Sequence, residues 1–159
     1  MCIRDSFYGA HDDLPVVYMG LDHTIFNPQA RLARRDAARK ELGIPDDQFA
    51  FLLVGNDWLK KGLFTLLEAL PLLADLPVAL YVAGSDETRP YDAPIERLKL
   101  AARVRFLPSR GDVAFYYAAA DAYVGPSLED TLSLIHIFVW VLQDQAIHAV
   151  RHDLRRAVR

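Results

Sequence analysis

The 159-residue sequence lacks four features that would each indicate a particular class of protein. Its single cysteine, Cys2, excludes an intramolecular disulfide framework and fits a reducing compartment. Its 18 basic residues are outnumbered by 21 acidic ones, which argues against a nucleic-acid partner. It has no apolar run long enough to span a membrane, and its first residues lack the apolar stretch of a secretory signal. We therefore expect a cytoplasmic domain with its own hydrophobic core, with the inner face of the membrane as the alternative location.

Strand-like and helix-like segments alternate along the chain. Short apolar runs predict strands over 15–19, 49–55, 78–84, 104–108 and 121–127, and amphipathic or alanine-rich segments predict helices over 28–42, 60–76, 93–103 and 112–120. Pro28 and Gly43 mark the start and end of the first helix, and Pro71 is expected to bend or shorten the second. This alternation predicts an α/β fold in which helices flank a parallel sheet.

The predicted strands end in polar segments, most of which contain a glycine. Ligands of parallel sheets bind beyond these carboxyl ends. In VGNDWLKKG, Gly55 would let the backbone approach a ligand closely, and Lys60 and Lys61 near a helix start could hold a phosphate. The segment is not a P-loop, because the GxxxxGK[ST] spacing is missing. Two solvated surface lysines would give the same pattern, so both interpretations stay open.

Two acidic residues follow the last predicted strand. Glu129 and Asp130 in PSLEDT could accept hydrogen bonds from sugar hydroxyls or hold a metal, although Asp130 or Ser127 could equally cap the next helix. The histidines offer no comparable site, because His148 and His152 lie four positions apart without a third ligand. No Ser/His/Asp or Cys/His arrangement can be assembled. The acidic pair is therefore the second candidate site, after the lysines.

Taken together, six segments resemble the donor-binding domain of retaining GT-B glycosyltransferases of the large family 4 type: GLDHTIFNP, RKELGIP, VGNDWLKKG, LYVAGS, VRFLPSRGD and YYAAADAYVGPSLED. Their order and approximate spacing match over about residues 14–131. The resemblance implies a Rossmann-like parallel sheet that forms the incomplete C-terminal half of a GT-B fold. It implies a nucleotide-sugar, UDP- or GDP-linked, as substrate, an unidentified acceptor, no metal or other cofactor, and peripheral membrane contact of the parent enzyme as an option.

The resemblance also implies roles for residues after the first two predicted strands. Lys61, before Gly62, matches the lysine that holds the donor diphosphate in the family. The arginine usually paired with it falls at Asn56, so one phosphate contact is missing or is replaced by Lys60. Gly84 matches the loop near the nucleotide. These residues therefore form the expected donor site together with Gly55.

Further along, the pattern of the family is incomplete. Leu107 falls where backbone groups usually meet the base. Asp130, with Glu129 beside it, matches the first acid of the family's E-x7-E motif, which contacts the donor sugar. The second acid, which binds the ribose, should stand at Phe138 and is missing.

The segment LSLIHI at residues 132–137, which interrupts this motif, is related to MCIRDS at residues 1–6. MCIRDS can be encoded by ATG TGT ATA AGA GAC AGC, and the reverse complement of its first five codons plus AG reads L-S-L-I-H and begins an isoleucine codon. The shared DNA resembles a transposon end used to prepare sequencing libraries. We predict that residues 1–6 are an artefact, that 7–131 are a partial donor-binding domain, and that 132–159 are an artefact or out-of-frame tail. Persistence of LSLIHI in the resequenced source gene would contradict this.

Three other interpretations stay open. The chain could be a non-catalytic nucleotide- or phosphate-binding module, a fragment of a sugar-nucleotide epimerase with the same fold, or an assembly product without function. The GLDHTIFNP loop and the PSLEDT turn favour the transferase over the epimerase. Because the sequence lacks nearly the whole acceptor domain and the second acid, we expect this chain to have no transferase activity by itself.

Overall fold

The computed structural model describes residues 22–127. Its elements, in chain order, are α1 (Pro28–Leu42), β1 (Phe49–Val54), α2 (Leu63–Ala69), a short 3-10 helix (Leu70–Leu73), β2 (Val78–Ala83), α3 (Arg89–Arg97), β3 (Val104–Leu107), α4 (Ala114–Ala119) and β4 (Ala122–Tyr123). The predicted strand at 15–19 and the proposed artefact segments at 1–6 and 132–159 lie outside the described residues. No helix within residues 22–127 is both long and apolar enough to cross a membrane.

The four strands form one parallel sheet in the order β3-β2-β1-β4. β1 pairs with β2 along its whole length, whereas β4 pairs with β1 at only two positions. The strand order reverses between β1 and β4, and α/β sheets bind ligands at such a point, outside the carboxyl ends of the strands. The predicted α/β fold with a parallel sheet is confirmed.

Side chains of β1 and β2 point alternately to two hydrophobic clusters. On one face, Ala50, Leu52 and Tyr81 pack against α1 and α4. On the other face, Leu53 and Leu80 pack against α2 and α3. The central strands are therefore buried on both sides, which explains why they read as continuous apolar runs rather than as alternating sequences.

The boundaries of α1 agree with the sequence prediction. The side chain of Asn27 caps the helix by accepting a hydrogen bond from the Ala30 N–H at 2.8 Å, and Pro28 occupies the first turn. Gly43 ends the helix in the left-handed conformation, at a φ of 62°. The predicted helix over 28–42 is confirmed.

Two other predicted helices are wrong at their ends. α2 begins at Leu63 rather than at Lys60, because residues 58–62 form a turn, and it changes to a 3-10 helix just before Pro71. α3 spans Arg89–Arg97 rather than 93–103, with one proline in its first turn and a second inside it. Lys99, at a φ of 56°, prevents its continuation.

An ion-pair cluster ties α1 to the start of β4. The guanidinium group of Arg39, which is 95% buried, donates to the carboxylate of Asp121 at 3.2 Å and to the Ala119 carbonyl at 3.2 Å. Arg35, one turn earlier on α1, also pairs with Asp121. Asp121 in turn accepts a hydrogen bond from the Ala50 N–H at 2.7 Å. This group, called the Asp121 clamp below, fixes the start of β4 beside β1.

Candidate functional site

A pocket of about 120 Å³ opens at the carboxyl ends of β1, β2 and β3. Its lining residues come from these strand ends, the loop after β3 and α4: Val54, Gly55, Asn56, Ala83, Gly84, Ser109, Arg110, Val113 and Tyr116. A larger groove of about 500 Å³ lies between residues 25–34 and α4, but none of the sequence-predicted site residues line it. The pocket at the strand ends is therefore the candidate functional site.

Two glycines bring the ends of β1 and β2 into close contact. A Cβ atom at Gly84 would lie 2.3 Å from the carbonyl oxygen of Gly55 and 2.9 Å from the indole nitrogen of Trp58. Gly55 itself has a φ of 138°, a conformation that residues with a side chain rarely adopt. Only glycine fits at both positions, and both glycines line the pocket.

The turn after β1 carries Lys61 across the end of that strand. The Cε atom of Lys61 lies 3.4 Å from the position of a Cβ at Gly55. At the next residue, a Cβ at Gly62 would lie 2.1 Å from the carbonyl oxygen of Pro126, so the turn packs against the segment that follows β4. Lys61 therefore lies where the strand order reverses.

Hydrogen bonds from side chains hold the loops after β1 and β2 together. The side-chain oxygen of Asn56 accepts a hydrogen bond from the Ser85 N–H at 3.0 Å. The carboxylate of Asp86 accepts one from the backbone N–H of Trp58 at 2.8 Å, and the buried indole of Trp58 donates to the carbonyl of Gly55. Asn56, at the position of the family's arginine, thus holds the neighbouring loop.

Among the described residues, those that line the pocket do not include Lys60 or Leu107, and the roles implied for both stay predictions. The ammonium group of Lys60 lies 3.4 Å from the carboxylate of Asp57, and both side chains are more than half exposed. Leu107 is buried in the core beneath the pocket, and its carbonyl accepts a hydrogen bond from the Gly84 N–H at 3.2 Å. In this region, the loop after β3 lines the pocket with Ser109 and Arg110.

Tyr116 closes the pocket on the side of α4. Its hydroxyl donates to the Pro108 carbonyl at 2.7 Å, which holds the loop after β3 against the helix. Burial raises the pKa of the Tyr116 phenol above its ordinary value, so its hydroxyl loses its proton only at a higher pH than that of a free tyrosine. This hydrogen bond therefore holds the loop that carries Ser109 and Arg110 against α4.

The structure brings part of the predicted site together. Gly55, Asn56 and Gly84 line one pocket, and Lys61 lies over Gly55. Glu129 and Asp130 lie outside the described residues, and their roles stay predictions.

Sequence reasoning missed Arg110 as a lining residue and Asp86 as a link between loops. The segment PSRGD was visible as a polar strand end, and its arginine was the available signal.

Known structures support this fold. The chain matches the crystal structure of WaaG, a glycosyltransferase involved in lipopolysaccharide biosynthesis, with a TM-score of 0.64 and 27% identity, covering 84% of this chain and 37% of that one. It matches Anabaena HepE in complex with UDP and glucose with a TM-score of 0.59 and 26% identity, covering 71% of this chain and 31% of that one. The described residues therefore have the Rossmann-like architecture of GT-B glycosyltransferases.

Sequence similarity identifies the family of the chain, which is a narrower class than its fold. Residues 34–137 match the family described as Glycosyl transferases group 1, and the chain belongs to that family. It is 33% identical over 107 residues to lipopolysaccharide glucosyltransferase WaaG of Escherichia coli strain K12, which covers 64% of this chain and 28% of that protein. It is 32% identical over 171 residues to the D-inositol 3-phosphate glycosyltransferase of Thermomonospora curvata, covering 97% and 40% respectively. The chain thus spans less than half the length of these relatives.

Proposed function

We propose that residues 22–127 are part of the donor-binding domain of a retaining glycosyltransferase, and that the pocket takes the nucleotide part of a nucleotide-sugar. One observation carries this proposal, the convergence of loops at the carboxyl edge of the sheet. Lys61 lies over Gly55, Gly62 packs on Pro126, and Gly84 packs on Gly55. A cation and exposed backbone groups thus meet at the point where the strand order reverses.

We propose a UDP-linked sugar as the donor, with a GDP-linked sugar as the alternative. Support comes from the similar HepE, which was crystallised with UDP-glucose and with UDP and glucose. The relative WaaG is named a glucosyltransferase, which favours a UDP-linked glucose or a related hexose.

The proposed chemistry is electrostatic. As the bond between the anomeric carbon and the diphosphate breaks, negative charge grows on the leaving group and the sugar gains oxocarbenium character. The ammonium group of Lys61 would stabilise that charge, and a well-placed group of this kind contributes about 3–4 kcal/mol in comparable sites. Asp130 and Glu129 are proposed to contact the donor sugar, and no metal is part of the proposed step.

Binding of UDP to the 159-residue chain tests the proposal. We expect Lys61→Ala to weaken UDP binding by about tenfold to a hundredfold, because it removes a charge-assisted contact to the diphosphate. Isothermal titration calorimetry measures this directly. Lys60→Ala should cost less than threefold, roughly the effect of a distant exposed charge, because the ammonium of Lys60 is engaged by Asp57.

Lys40→Ala, on the exposed side of the last turn of α1, is the matched control for net charge. Circular dichroism would confirm that each variant is folded. A chain that is folded but binds neither UDP nor GDP, or that binds UDP equally well without Lys61, would contradict the proposal.

A further inference from the structure

The groove of about 500 Å³ between residues 25–34 and α4, called the α1–α4 groove below, is mainly apolar and open to solvent. Ile25 and Leu32, on one side of it, are 41% and 65% exposed, and Tyr117, on the other side, is 36% exposed. A concave apolar surface that is exposed in this way marks a place where another segment or molecule packs.

The charged side chains that line the α1–α4 groove have one sign. They are Arg31 and Arg34, and none of the lining residues within 22–127 is acidic. Arg31 donates to the carbonyl of Ala120 at 2.7 Å, a partner that does not neutralise its charge. Arg34 lies 3.4 Å from the carboxylate of Asp112 in an exposed pair, and such pairs contribute little. The groove therefore suits an apolar occupant that also carries acidic groups.

The turn before α1 brings the preceding chain to the edge of this groove. The carbonyl of Asp22 accepts hydrogen bonds from the Ile25 N–H at 3.1 Å and from the Phe26 N–H at 2.9 Å. The side chain of Asn27, which caps α1, donates to the carbonyl of His23 at 2.9 Å. Because Ile25 and Phe26 line the groove, Asp22 lies at its edge, and the chain that precedes Asp22 starts there.

That preceding chain, residues 7–21 or FYGAHDDLPVVYMGL, has the composition that the groove requires. It is rich in apolar and aromatic residues, and its charged residues are Asp12 and Asp13, without any lysine or arginine. An extended chain covers about 3.3 Å per residue, so Asp13 can lie up to about 30 Å from Asp22. The first two turns of α1, which carry both arginines, are only about 11 Å long. The two aspartates can therefore reach the arginines of the groove.

We propose that residues 7–21 dock in the α1–α4 groove of their own chain, with their apolar side chains on its apolar lining and with Asp12 and Asp13 near its two arginines. Residues 138–159 are less suited, because they carry four arginines against two aspartates and meet charges of their own sign. A second copy would have to compete with a tethered segment, whose effective concentration is on the order of millimolar. The inference is independent of the proposed function, because it requires no nucleotide.

Disulfide cross-linking in the 159-residue chain tests the proposal. In a Cys2→Ser background, one cysteine is introduced as Val16→Cys or Val17→Cys, because neighbouring side chains of an extended segment face opposite sides. The second cysteine is Leu32→Cys in the groove or Leu72→Cys on the 3-10 helix, two positions that are 65% and 68% exposed. We expect one of the two valine positions to cross-link with Leu32→Cys at least about tenfold faster than with Leu72→Cys. Alkylation at set times and mass spectrometry measure the rates.

The role of charge is tested in the faster-linking variant. Asp12→Asn combined with Asp13→Asn should slow the cross-link to Leu32→Cys by about threefold, the effect expected of exposed ion pairs. Asp46→Asn combined with Asp47→Asn, an exposed acidic pair after α1, is the matched control and should leave the rate unchanged. Circular dichroism would confirm that each variant is folded.

Equal cross-linking rates with Leu32→Cys and Leu72→Cys would overturn the proposal. An unchanged rate after both aspartates are replaced would overturn it as well, because the choice of this segment depends on its charge. A disulfide between two copies of the Leu32→Cys chain that forms faster than either intramolecular link would assign the groove to a second copy. A faster link from Val139→Cys to Leu32→Cys would assign it to residues 138–159.

Discussion

Gly62 is the most constrained of the single residues that shape the site. It combines a left-handed backbone, at a φ of 78°, with direct packing against the carbonyl of Pro126. The two atoms nearest to that Cβ position, the carbonyl oxygen and carbon of Pro126, belong to the backbone, so a change of rotamer cannot relieve the clash. The position of Lys61, one residue earlier, therefore depends on how closely the two loops approach.

We expect Gly62→Ala to lower the free energy of unfolding by about 1–3 kcal/mol, because it adds backbone strain and displaces the segment after β4. UDP binding should weaken at the same time. Thermal unfolding and calorimetry measure the two effects. Gly111→Ala is the control, since a Cβ at Gly111 meets nothing within 4 Å. Wild-type stability and affinity in Gly62→Ala would show that the two loops do not need this contact.

The single residues of the site could be read from the sequence only in part. Gly55, Lys61 and Gly84 were predictable, because glycines at strand ends and a following lysine form a pattern in the sequence itself. The hydrogen bond from Ser85 to Asn56 and the placement of Arg110 were not. Both depend on contacts between loops that are distant in sequence. The spacing of residues within one segment does not predict such contacts.

Secondary-structure elements were predictable where their end signals are local. α1 has an asparagine cap, a proline in its first turn and a terminal glycine, and its predicted bounds are confirmed. The predicted helix over 93–103 starts too late, because α3 begins at Arg89 with Pro90 in its first turn. The helix also ends before its apolar pattern does, because Lys99 adopts a left-handed conformation. Nothing in the local sequence specifies that conformation.

The Asp121 clamp joins two elements, α1 and β4, and we predict its contribution to the free energy of unfolding. We expect Asp121→Ala to destabilise the fold by about 2–4 kcal/mol, because it leaves the buried guanidinium of Arg39 without its carboxylate counter-ion and the Ala50 N–H without its acceptor. Asp121→Asn, which retains one acceptor oxygen, should cost less. Urea denaturation of the 159-residue chain measures both.

The matched control is the pair formed by Arg34 and Asp112, which also joins α1 to the region of α4. Its closest atoms lie 3.4 Å apart and both side chains are about half exposed. Exposed pairs of this kind contribute about 0–1 kcal/mol, so Arg34→Ala should change stability little. Equal losses in Arg34→Ala and Asp121→Ala would mean that burial does not distinguish the two pairs.

For the whole molecule, the chain spans 28% of the length of WaaG and 40% of the Thermomonospora relative. Transfer requires an acceptor held within reach of the donor sugar, in addition to a bound nucleotide. Binding and transfer are therefore separate properties, and only binding is assigned to the pocket described above.

We expect the purified 159-residue chain to release no UDP from UDP-glucose above the rate of spontaneous hydrolysis. A coupled assay for UDP measures this, with Lys61→Ala as the background. Transfer to any added sugar or lipid acceptor that depends on Lys61 would contradict the expectation. It would also set aside the interpretation of the chain as a module that only binds.

The Asp121 clamp also bears on the order in which the molecule folds. Asp121 and Arg39 are separated by 82 positions, and their contact closes most of the described chain into one loop. Closing so long a loop costs chain entropy, and we expect the clamp to form after the rate-limiting step of folding. The clamp then slows the opening of the native state far more than it speeds its formation. In stopped-flow kinetics, its loss would appear in the unfolding rate, as a shorter lifetime of the folded molecule.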